Sequence, residues 1–183
     1  MAYSTPLTAV SNATLTAAQW NASMRDNMLE TPAAKATATG QMFISTGANA
    51  IAARTPTTAT VATSETFTPS IGVFGDLTTV GPTVGPLTTG TAAIVLFGAY
   101  MSNGTGTGSG VMGFNVSGAT TIAASLAESV RVLSPTTGGQ AWRPFAVSMP
   151  TLTAGSNTFT AKYTTHSGGA VTAADRKLIV IPL

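Results

Sequence analysis

The chain has 183 residues, of which only 8% are charged; its net charge is +2 and it has no cysteine. That length fits one domain with an appendage, and the missing thiols exclude disulfides and thiolate metal sites. The eight lysines and arginines are scattered, adjacent only at Arg176-Lys177, which argues against the clustered cations of a nucleic-acid surface. Soluble proteins carry about 25% charged residues. A surface filled instead by Thr, Ala, Gly and Ser is poorly protected against association and suits a protein that lives inside an assembly.

Residues 1–6 have neither a basic start nor an apolar core, so no secretory signal is expected there. The longest apolar run, residues 92–101, is too short to span a membrane, and a protein made and soluble in a cytoplasm is the expectation. Thr16-Ala17-Ala18-Gln19 fits a capping box, predicting a helix over about 17–29 that Pro32 stops. Trp20, Met24 and Met28 fall on one apolar stripe of it, with Asn21, Arg25 and Asp26 off the stripe. So short a helix is marginal alone. The stripe must pack either on the chain's own β domain or on another subunit or protein, a burial worth at most about 5 kcal/mol. Residues 33–39, all Ala, Thr and one Lys, read as an extended linker.

Residues 40–56, GQMFISTGANAIAARTP, read as a β-hairpin spanning about 41–54. Residues 41–45 go out, 46–49 turn and 50–54 return, and Gly47 and Asn49 suit the turn because both tolerate positive φ. Met42, Phe43 and Ile44 on its first strand join Trp20, Met24 and Met28 as candidate docking residues. The arm is thus residues 1–60 and the body 61–183.

In the body, short strands are expected at residues 65–69, 77–80, 92–101, 111–117, 128–133, 141–149, 157–164 and 177–182, separated by Gly, Pro and Asn turns. Phe159, Ala161 and Tyr163 alternate with Thr158, Thr160, Lys162 and Thr164, predicting one buried and one wet face; Met112, Phe114 and Val116 alternate likewise. Residues 92–97 are apolar on both faces, so that strand is either central or covered outside by a neighbouring subunit. Residues 153–156 read as a turn and the Gly-rich 103–110 as a flexible loop. The fold class is therefore mainly β, a jelly-roll-like antiparallel β-sandwich preceded by an arm with one short α-helix and a β-hairpin. An immunoglobulin-like arrangement is the alternative.

No catalytic constellation emerges. The single histidine, His166, lies in a Ser/Gly loop; a triad through Asp175 or Asp76 is conceivable, but a solvent-exposed loop histidine is the reading adopted. The acids are dispersed, so a glycosidase pair such as Glu128 with Asp175 has no sequence support, and no cluster has metal-ligand spacing. The glycines of 104–110 match neither a nucleophile elbow nor a P-loop. The sequons at Asn12, Asn21, Asn103 and Asn115 are what a Ser/Thr-rich chain produces by chance. Trp142 and Tyr100 could stack on a sugar, but Trp142, beside Phe145 and Val147, reads as core. No enzyme activity, cofactor, metal, nucleic acid or membrane partner is expected.

Two stretches resemble known families. Gly40, Met42, Phe43, Ile44, Gly47, Asn49, Ile51, Arg54 and Pro56 match a hairpin segment that recurs in bacteriophage fibre and fibre-like virion proteins, with Gln41 and Thr55 where that family has an acid and a Leu. LTAAQWNASMRDNM resembles the N-terminal opening of small structural proteins of phages of actinobacteria, through Trp20, Asn21, Arg25, Asp26 and Asn27. The phrases at 88–93 and 152–159 are similar to ones in jelly-roll domains of small phage structural proteins. The resemblance implies a non-enzymatic virion structural protein, a capsid decoration or short head-fibre protein or a minor tail protein. It would be made in the bacterial host cytoplasm and carried on the virion surface. It would form a homotrimer and dock through its arm on the major capsid protein or another virion protein. A tail-associated module that binds a host surface glycan is the alternative.

Overall fold

A computed structural model describes residues 7–8, 10–103, 109–133 and 144–183, which fall into two units, Met1–Pro56 and Thr57–Leu183. In the first, the capping box forms as its sequence dictates. Gln19 donates its N–H to Thr16 Oγ1 at 3.2 Å, and Thr16 donates its own N–H to Gln19 Oε1 at 3.0 Å. Helix α1 (Ala17–Trp20) then widens into a π-helical segment, Asn21–Asp26, which no sequence feature signals.

Pro32 both ends this helix and begins another. Thr31 Oγ1 donates to the Met28 carbonyl at 2.9 Å and accepts the Ala34 N–H at 3.4 Å. It thereby caps α2 (Pro32–Lys35), whose first turn does not need the N–H that proline lacks. Residues 33–35 are therefore helical rather than an extended linker. Gln41 Oε1 accepts the N–H groups of Thr37 and Ala38 at 2.8 and 3.1 Å, tying the connection to the hairpin. The hairpin pairs β1 (Met42–Gly47) with β2 (Ala50–Arg54), from Met42 opposite Arg54 to Gly47 opposite Ala50. An irregularity between Ser45 and Gly47 lengthens β1 beyond its expected end and leaves Ala48 and Asn49, at φ +56°, as the turn.

The second unit is an antiparallel β-sandwich. Its strands are β3 (Thr57–Val61), β4 (Glu65–Phe67), β5 (Thr83–Thr89), β6 (Ala93–Asn103), β7 (Ser109–Gly118), β8 (Ser129–Leu133), β9 (Phe145–Ser148), β10 (Gly155–Thr165) and β11 (Val171–Pro182). One sheet runs β3-β11-β6-β9, with β4 also on β11; the other runs β5-β10-β7-β8. The pairs nest: β3 with β11, β5 with β10, β6 with β9, β7 with β8. That is one long hairpin wrapped into two layers, the jelly-roll connection rather than the immunoglobulin one. Strand β6 is central, as one of its two sequence readings required. Its inward side chains Val95, Phe97 and Met101 meet Phe114, Phe159 and Tyr163 between the sheets, and Phe97 sits edge-to-face on Phe114 with centroids 5.2 Å apart.

Four expectations need correction. Residues 77–80 form no strand: Leu77 drops into the core and Val80 faces solvent. Two Thr-rich strands, β3 and β5, stand where none was expected, and β3 pairs with the final strand, so the body starts at Thr57 rather than 61. Thr164 is buried, not wet, because residues 70–75 run along the end of β10; its hydroxyl donates to the Ser70 carbonyl at 3.2 Å. Gly155 and Ser156 belong to β10 and not to a turn. Trp142 and most of the Gly-rich loop lie outside the described residues.

Candidate docking surfaces

In the first unit, the buried side chains among the described residues are polar, and several large apolar ones are exposed. The buried ones are Asn27 and Glu30. Asn27 Nδ2 donates to the Ser23 carbonyl at 3.1 Å, and Lys35 Nζ lies 2.9 Å from Glu30 Oε2. The Lys35 ammonium holds the Glu30 carboxyl below the ordinary glutamate range. The predicted stripe faces outward: Trp20, Met24 and Met28 are 55%, 45% and 66% exposed. Met24 and Met28 line one groove of about 210 Å³ with Ser23, Asn27 and Thr31. A second apolar groove, of about 250 Å³, lies between Leu7, Val10, Leu15 and Gln19.

On the hairpin, Met42 and Phe43 are exposed and Ile44 is half-buried. Alternation puts Met42 and Ile44 on one face and Phe43, with Ile51 across the strand pair, on the other. The three hairpin candidates therefore do not share a surface. A two-stranded ribbon with apolar residues on both faces is marginal by itself in water.

No protein-family model matches this chain, and no curated protein matches it in sequence.

Several polar side chains of the body are engaged in structure. Asp76 pairs with Lys162 at 2.7 Å, and Ser148 Oγ donates to Glu128. Glu128 precedes β8 and Asp175 lies in β11, in different sheets. His166 is exposed just past β10, and its backbone N–H bonds to Ser109. Among the described residues no group of three His, Asp or Glu could hold a metal ion, and no helix is long and apolar enough to cross a membrane.

One cluster escaped the sequence reading. Arg176 is fully buried and donates from Nη1 to the Thr79 carbonyl at 3.0 Å. It lies 3.8 Å from Glu65 and over the Tyr163 ring at 5.6 Å. Burial pushes the Tyr163 phenol well above its ordinary pKa, and its hydroxyl donates to the Gly81 carbonyl at 2.9 Å. The cluster pins residues 79–81 to the sheet. The signal was present in strand parity: Leu178 and Val180 point inward, so Arg176 does too. A bulge at Asp175, φ +46°, interrupts the pairing with β6 there. Tyr100 sits half-buried beside this bulge, on the rim of a groove of about 260 Å³ with Gly98, Phe145 and Lys177.

Proposed function

We propose that this protein is a non-enzymatic structural component of a phage virion, a capsid decoration or short head-fibre protein that docks through its N-terminal arm. The observation that carries this is the inverted arm: Trp20, Met24, Met28, Met42 and Phe43 face outward while Asn27 and Glu30 are buried. An element built this way gains stability only when another surface covers it. Sparse charge, the jelly-roll body and the two sequence resemblances support the same reading. The partner is an apolar groove on the major capsid protein or another virion protein, and the arm supplies the side chains that fill it.

The test is incorporation into particles. Trp20→Asp and Met28→Asp, both at exposed positions, should leave the circular dichroism of the purified protein unchanged and lower its copy number per virion at least about tenfold, a loss of ~1.4 kcal/mol or more. Unchanged incorporation of both variants would overturn the docking role.

A further inference from the structure

The chain has no cysteine, so its reaction with a peroxide falls to thioether sulfur. The described methionines divide into two groups. Met101 and Met112 are fully buried between the sheets. Met24, Met28, Met42 and Met149 are each at least 45% exposed. Oxidation follows access to solvent, so the two core methionines are internal controls for the outer four.

Met24 and Met28 differ from the other exposed pair because they act on one surface. They lie one helical turn apart and line the same groove of about 210 Å³ with Ser23, Asn27 and Thr31. Asn27 Nδ2 donates to the Ser23 carbonyl at 3.1 Å and Thr31 Oγ1 to the Met28 carbonyl at 2.9 Å. The polar side chains of the groove thus serve the backbone, and the thioethers supply its apolar walls. An unbranched thioether adapts its shape to whatever covers it. One oxygen on either sulfur turns that wall polar and adds an acceptor that an apolar covering surface leaves unpaired. Met42 lies on the hairpin and Met149 on the body, so neither shares this groove. The helix itself is held by hydrogen bonds of Thr16, Gln19, Asn27 and Thr31, groups that peroxide leaves alone, so the arm keeps its fold.

We infer that Met24 and Met28 form an oxidation site that switches the docking of the arm off. A thioether lone pair attacks one oxygen of hydrogen peroxide, an S–O bond forms as the O–O bond breaks, and the second oxygen leaves as water with both protons. Sulfur is oxidised to the sulfoxide, and methionine sulfoxide reductases reverse the step. The consequence rests on the docking reading above, but the site does not, and separate readouts keep them apart. The full chain is treated with hydrogen peroxide and its oxidised residues are mapped by peptide mass. Met24 and Met28 should oxidise at least tenfold faster than Met101 and Met112; equal rates overturn the site. Treated and untreated protein are then titrated onto particles that lack it. Oxidation should lower occupancy at least tenfold at unchanged circular dichroism. Met24→Leu/Met28→Leu, close to methionine in volume, should keep its occupancy after peroxide, while Met42→Leu/Met149→Leu should stay sensitive. Undiminished occupancy of the oxidised wild type, or an equal loss in Met24→Leu/Met28→Leu, overturns the switch. If Trp20→Asp loses occupancy and the oxidised wild type does not, only this inference fails; if neither loses it, the docking reading fails as well. Should Met24→Leu/Met28→Leu not dock even untreated, treatment of the oxidised wild type with methionine sulfoxide reductase decides: restored occupancy supports the site, and none overturns it.

Discussion

Asn157 holds three parts of the body together with one amide. Its Oδ1 accepts the Thr120 N–H at 2.8 Å, and its Nδ2 donates to Thr89 Oγ1 at 2.8 Å and to the Thr153 carbonyl at 3.0 Å, all in a fully buried position. Removing it leaves buried polar groups without partners, so Asn157→Ala should destabilise the body by about 3 kcal/mol, read as a lower urea midpoint at unchanged slope. Asn157→Asp should rescue little, because a carboxylate cannot donate to the Thr153 carbonyl. Glu30 makes a second residue-scale prediction. Its folded pKa is lowered by Lys35, so its contribution to stability is fully present above the ordinary glutamate range and is lost as pH falls through the lowered value. Carbon NMR should place the Glu30 midpoint below that of an unperturbed glutamate, and Lys35→Met should return it upward; an ordinary midpoint in the wild type would refute the pairing.

At the scale of elements, Gly98 decides whether β9 can lie against β6. Gly98→Val would drive a side chain into the Phe145 ring and the Pro144 carbonyl, and an overpacked contact of this sort should cost about 1–3 kcal/mol, measurable by thermal unfolding, whereas Thr160→Val on the other sheet should cost little. Elements with strong local chemistry were legible in sequence. The capping box of Thr16 and Gln19, the Asn49 turn and the alternation of Phe159, Ala161 and Tyr163 each name their own structure. Strands β3 and β5 were not legible, because TTATV and TVGPLTT lack large alternating side chains and Gly85-Pro86 reads as a break; their pairing comes from β11 and β10, far away in sequence. Helix α2 was missed because Pro32 reads equally as a stop and as a first turn. The stripe of Trp20, Met24 and Met28 was visible as a pattern, but whether it faced in or out was not, since periodicity fixes a face and not its surroundings.

For the whole molecule, charge and apolar surface together predict how association responds to solvent. A jelly roll serves many functions, so the fold alone decides none; what distinguishes this chain is apolar surface left outside on both the arm and one sheet, with only 8% charged residues to oppose contact. If this exposed apolar surface is what holds copies together, the driving force is water released from it, and exposed charge pairs add no more than ~0–1 kcal/mol each. Raising sodium chloride should then shift the dissociation constant by less than about threefold, since screening acts on charge. Sodium sulfate should tighten association and cooling should weaken it, as both act on apolar burial. Sedimentation equilibrium across these conditions checks all three. A steep loss of affinity with sodium chloride would assign the contact to charged residues, and exposed apolar surface would then not be what holds the copies together.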